Sequence, residues 1–65
     1  MPNITIDGPP LADLEVKRSL VKEITEAMHK AYRLPKEVMV VVIKENPPEN
    51  VGVGGMLIVD RRSKG

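Results

Sequence analysis

The sequence predicts an α/β fold: one β-α-β unit followed by a C-terminal hairpin or arm. Three observations predict it. A short alternating segment opens the chain, a long helical stripe follows, and a continuous apolar run comes after that. Strand, long helix and strand in this order favour parallel pairing with a right-handed crossover.

The first strand spans Asn3 to Asp7, where Ile4 and Ile6 face one way and Asn3, Thr5 and Asp7 the other. Period two with β-branched residues is a strand signal. Gly8-Pro9-Pro10 ends it, because proline lacks a ladder donor and restricts the residue before it.

Asp13 is placed to cap a helix, with Glu15 in its first turn. Val16, Leu20, Ile24, Ala27 and Ala31, flanked by Val21 and Met28, then recur at helical spacing. The helix should end near Tyr32-Arg33, before Pro35. Lys17, Lys22, Glu26, Lys30 and Arg33 occupy its solvated faces.

The second strand is the run Val38 to Ile43, whose lost alternation predicts burial on both faces. Asn46 to Asn50 is a loop by composition. Val51-Gly52-Val53-Gly54-Gly55 leads into Met56 to Val59, a short strand or hairpin arm, and then a charged tail with Arg61, Arg62 and Lys64.

At 65 residues the chain is one domain, 1–65. A fold this small hides only about 60% of the surface that its unfolded form exposes. There is no cysteine for disulfides, and one histidine, His29, cannot build an ordinary zinc site. Yet 42% of the residues are hydrophobic. One helix covers one face of a two-stranded sheet, while the Val38–Ile43 run asks for cover on both. Burying a valine or leucine side chain stabilises by about 1.5–3 kcal/mol, so several left exposed would outweigh a small domain's stability. The second face must come from another copy of the chain.

Charge excludes other classes. The formal net charge is +1 with mixed signs, so no basic stripe offers itself to nucleic acid. No apolar stretch approaches the roughly 20 residues of a membrane span, and the N-terminus lacks the pattern of a signal peptide. A cytoplasmic protein without a nucleic-acid or membrane partner is expected.

The usual catalytic inventory is nearly empty. Ser19 and Ser63 have no base nearby in sequence, and His29 reads as a solvated helix residue. Gly52, Gly54 and Gly55 lack the spacing of a phosphate loop and read as a turn. Asp7, Glu45 and Asp60 show no spacing that singles out a pair. Pro2 stands apart. Loss of Met1 is expected before so small a residue, and it would expose a secondary amine. An α-amino group titrates near about 7.7–8.0, and an apolar pocket would lower that value. Such an amine is a competent general base or nucleophile.

With Pro2 opening a strand, the chain resembles the 4-oxalocrotonate tautomerase family. The resemblance is carried by Pro2, Leu20-Val21-Lys22-Glu23-Ile24-Thr25-Glu26-Ala27, Pro35, Glu45 and Val51-Gly52-Val53-Gly54-Gly55, and runs without gaps to about Val59. It implies two chains sharing a four-stranded sheet, and three such dimers assembled as a homohexamer. It also implies an isomerase, with Pro2 as the catalytic general base moving a proton between enol oxygen and a distant carbon of a 2-hydroxymuconate-like dienoate. The small-molecule enol or keto acid is the only other partner implied, and no cofactor is required. Parallel pairing would set Pro2 near the start of the second strand, around Val38 to Val40.

Three positions depart from the family pattern. Arginines are expected at positions 12 and 40, and an aromatic residue at 51; this chain has Ala12, Val40 and Val51. These three would line the substrate pocket. A hydrogen bond to a charged group is worth about 1.5–3 kcal/mol, so turnover of a dicarboxylate should be poor unless another cation substitutes. Arg61, Arg62, Arg33 and Lys36 are candidates. Slow, promiscuous tautomerisation is therefore expected, with monocarboxylate or neutral enols tolerated. The alternatives are a non-catalytic oligomer that binds a small ligand or serves as a scaffold, and a hydratase or dehalogenase using the same proline.

Overall fold

The computed structural model describes residues 1–62. The tail residues Ser63 and Lys64 lie outside the described residues, as does the side chain of Arg62. Strand β1 (Asn3–Gly8) pairs in parallel with β2 (Val40–Glu45), in register from Asn3 opposite Val40 to Gly8 opposite Glu45. Helix α1 (Leu14–Tyr32) makes the crossover between them. Asp13 caps it as the sequence indicates, its carboxylate accepting the Val16 N–H at 3.0 Å. Arg33 ends it in the left-handed conformation, φ 58°, donating its N–H to the His29 carbonyl at 2.9 Å.

The second strand begins two residues later than the apolar run suggests. Lys36–Val38 form a 3-10 turn, in which Val38 donates to Pro35 and Met39 to Lys36. Those amides are consumed locally, so ladder pairing starts only at Val40. It then runs on through Lys44 and Glu45, because Asp7 and Gly8 are still present to pair with them.

A second 3-10 turn (Pro48–Asn50) precedes a small antiparallel hairpin, β3 (Gly52–Val53) and β4 (Met56–Leu57). Gly54 (φ 62°) and Gly55 (φ 84°) form its two-residue turn. Positive φ at both central residues is what a tight hairpin matching strand twist requires. The arm departs from expectation at its end: Ile58 and Val59 are helical, in α2 (Ile58–Arg62). The residue that would continue the ladder opposite Val59 is Asn50, whose N–H is already committed to Pro47 at 2.8 Å. Ile58 donates to Val51 at 2.8 Å, and the chain then coils.

The core is thin. Among the described residues Met28 alone is buried, with Val21 and Ile24 half-buried beside it against the sheet. The stripe read from sequence holds in part: Leu20 and Ile24 are half-buried, Val16, Ala27 and Ala31 are exposed, and the flanking Val21 and Met28 share the packing. On β2, Val41 and Ile43 are half-buried, while Val40 and Val42 are 36% and 43% exposed on the other face. The radius of gyration is 15.5 Å, against about 11 Å for a compact chain of this length. A single copy leaves one sheet face and much of the helix uncovered. Among the described residues no helix is long and apolar enough to cross a membrane.

Candidate active site

Pro2 lies at the N-terminal edge of the sheet. Its carbonyl accepts the Val40 N–H at 3.1 Å, one rung before the Asn3–Val40 pair. This backbone bond fixes the residue on the sheet edge while leaving its ring nitrogen outside the ladder. Pro2 is half-buried, and Val40 stands next to it. The expected proximity of Pro2 to the start of the second strand is therefore observed.

The other two pocket candidates lie at the opposite end of the sheet. Ala12 is exposed in the loop between β1 and α1. That loop is tied down by Glu45, which accepts the Leu11 N–H at 2.7 Å and the Lys17 ammonium at 2.9 Å. The Leu11 N–H, and after it Lys17, hold the Glu45 carboxyl below the usual glutamate range. Val51 is half-buried and lines a cleft of about 520 Å³ with Asp7, Pro9, Asn46, Pro48 and Ile58. Asn46 secures this end: its N–H donates to Gly8 at 2.8 Å and its side-chain amide to Asp7 at 2.5 Å.

Pro2 and Val40 thus lie at one end of the sheet, and Ala12 and Val51 follow its other end without Ala12 lining the Val51 cleft. Six residues of β1 separate the two ends, roughly 20 Å at the rise of a strand. One chain does not bring them together. The 520 Å³ cleft beside Val51 can hold a small acid, but the chain's own Pro2 cannot reach it.

Lys36 is committed near the Pro2 end, in an ion pair with Glu26 at 2.5 Å. That hydrogen bond holds Glu26 below the usual carboxylate range. His29 is half-buried, with Nδ1 2.6 Å from the Leu34 carbonyl. A carbonyl only accepts, so Nδ1 carries the proton and His29 closes the helix end instead of standing free in solvent. Asn46 is the residue that the sequence conceals: its composition reads as loop, whereas it is the clasp between β1 and β2. No group of three or more His, Cys, Asp or Glu among the described residues is arranged to hold a metal ion.

Comparison with known proteins gives the architecture a family. The profile of the tautomerase enzyme family matches residues 2–61. The probable tautomerase lmo2564 of Listeria monocytogenes is 36% identical over 56 residues, covering 86% of this chain and 92% of that protein. The crystal structure of DmpI from Archaeoglobus fulgidus superposes with a TM-score of 0.80 at 39% identity, covering 91% of this chain and all of the other. A heterohexamer 4-oxalocrotonate tautomerase from Chloroflexus aurantiacus superposes with a TM-score of 0.80 at 25% identity, covering 92% and 97%.

Proposed function

This chain belongs to the tautomerase family, and from that premise we propose that it interconverts enol and keto forms of 2-hydroxymuconate-like dienoates with Pro2 as general base. The placement of Pro2 carries the reading. It is the first residue on the sheet edge, held through its carbonyl alone. Once Met1 is removed, its nitrogen is a secondary amine on a rigid ring beside the apolar Val40.

In the forward direction the Pro2 nitrogen accepts the proton of the 2-hydroxyl group. The oxygen lone pair becomes the C2 carbonyl, and the diene electrons shift toward the distant carbon. The protonated amine then returns its proton to that carbon, giving the conjugated ketone and regenerating the free base. The proton count closes without a cofactor.

The substrate site in this reading is shared between copies. Pro2 and Val40 of one copy meet the Ala12 loop and the Val51 cleft of another, which removes the roughly 20 Å separation within one chain. Exposed Val40 and Val42, the single buried residue among those described and the extended shape all support self-association. Two chains forming a four-stranded sheet, and three such dimers forming a hexamer, is the proposed assembly; the Chloroflexus relative is itself a heterohexamer. A cytoplasmic setting belongs to the same proposal.

Ala12, Val40 and Val51 favour a second reading, a small-ligand-binding oligomer without turnover, because none of them supplies charge. Ketonisation of 2-hydroxymuconate by Met1-free protein separates the two. Turnover should be measurable and should fall at least tenfold in Pro2→Ala, which keeps an amine but loses the rigid ring. Equal rates in wild type and variant would remove Pro2 from catalysis.

A further inference from the structure

The proposed base brings no cation to the substrate, and Ala12, Val40 and Val51 bring none either. A carboxylate in the cleft needs its counter-charge from elsewhere. We infer that Arg61 supplies it, and that the site consequently selects 2-hydroxyenoate acids carrying a single carboxylate. The inference rests on the reading of the Val51 cleft as the substrate site.

Helix α2 sets the geometry. Its first residue, Ile58, lines the cleft beside Val51. Arg61 follows three residues later, which on a helix places it on the same side, about 60° around and 4.5 Å further along. It is exposed and makes no ion pair among the described residues. The other candidates among the described residues are engaged or distant. Lys17 pairs with Glu45, Arg18 with Glu15 and Lys36 with Glu26. Arg33 is the left-handed cap of α1, at the far end of the sheet from Val51. Lys44 stands opposite Asp7 in the strand register and does not line the cleft.

Arginine suits the role because its planar fork can give one carboxylate two parallel N–H bonds. Its long side chain would extend toward the cleft from α2, which packs on the turn Pro48–Asn50 and lines the cleft with Ile58. If Arg61 alone among the described residues serves the cleft, a second carboxylate finds no partner there and meets the Asp7 carboxylate on the wall.

The test uses 2,4-hexadienoate, an unreactive monocarboxylate diene, titrated calorimetrically into the intact oligomer, with its methyl ester and muconate as comparisons. Arg61→Ala should weaken hexadienoate binding about tenfold, the loss of one charge-assisted contact, and leave ester binding unchanged. Arg61→Lys should fall between the two, and Lys44→Ala should stay within about twofold of wild type. Wild type should bind muconate no more tightly than hexadienoate. In ketonisation of the matching 2-hydroxydienoates, Arg61→Ala should raise KM for the monocarboxylate and leave kcat nearly unchanged. Wild-type affinity in Arg61→Ala, equal losses for acid and ester, or a preference for muconate would each overturn the assignment. Hexadienoate has no enol to ketonise, so its binding reports on Arg61 whatever Pro2 does. An unchanged rate in Pro2→Ala would defeat the catalytic reading alone.

Discussion

Glu45 at the end of β2 accepts the Leu11 N–H at 2.7 Å, joining the last sheet residue to the loop that leads into α1. The same carboxylate holds Lys17 on the first turns of that helix. Ala12 and the Asp13 cap lie between these two attachment points. One side chain therefore sets how the loop meets the sheet. In the proposed assembly that loop borders the neighbouring copy's Pro2.

The Glu45 carboxyl lies below the usual glutamate range because of the Leu11 N–H and Lys17, so the fold favours its ionised form. Its contribution is full above the ordinary value of 4.5 and is lost as pH falls through the lowered one. Hydrogen-exchange protection at Leu11 should decline on acidification through that window. Glu45→Gln should show weaker protection at neutral pH and a flatter acid response. Glu26, held down by Lys36, will leave a residual slope in global stability. A Leu11 protection factor independent of both pH and the substitution would discard the clasp.

Ionisation of Pro2 gives a second pH signature, of the same sign but at higher pH and in the rate instead of the fold. Its amine must be neutral to accept a proton, so kcat/KM should rise with pH and level off above the amine pKa. Desolvation beside Val40 should place that rise below the ordinary α-amino range of about 7.7–8.0. Intact mass spectrometry of natively produced protein should show Met1 absent. Retained Met1 would make the Pro2 nitrogen an amide and leave the ligand-binding reading.

The parts legible in the sequence were those set by local chemistry. Alternation gave β1, Asp13 gave the helix start, and Pro35 bounded its end. The β2 boundary escaped because apolar character does not reveal that the Val38 and Met39 amides are spent in a 3-10 turn. Val59 escaped for a related reason: its strand character had no partner once Asn50 was committed to Pro47. The inner face of α1 was legible only in part, because apolar residues surround more of the helix than one sheet can cover and Val21 and Met28 share that face with Leu20 and Ile24. Pro2 and Val40 were legible as neighbours from parallel pairing. The separation of Val51 from Pro2 was not, since a one-dimensional reading assigns both to one pocket without saying how many chains build it.

Val42 tests the assembly directly. It is 43% exposed on the sheet face away from α1 and flanks no proposed site residue except Val40. Burying a valine is worth about 1.5 kcal/mol or more, and a lysine in its place adds a charge to a dry interface. Val42→Lys should shift sedimentation to smaller species. Cooperative thermal unfolding should be lost with them, since among the described residues a single copy buries only Met28. An unchanged sedimentation coefficient would mean that this face is not covered by another copy.

Restoring cations should convert the specificity. Ala12 is exposed in a loop, and Val40 faces away from α1, so arginine fits at both positions without entering the core. A hydrogen bond to a charged group contributes about 1.5–3 kcal/mol, or roughly 10- to 150-fold in rate where it forms only in the transition state. Val40→Arg, beside Pro2, should raise kcat/KM for 2-hydroxymuconate by at least tenfold. Ala12→Arg should add to it mainly through KM, because a loop residue meets the distal carboxylate in ground and transition states alike. The monocarboxylate should gain much less, having no second carboxylate to hold. Equal gains for both acids would point to a general electrostatic effect on the Pro2 amine. No gain for either would place the substrate somewhere other than between Pro2 and the cleft.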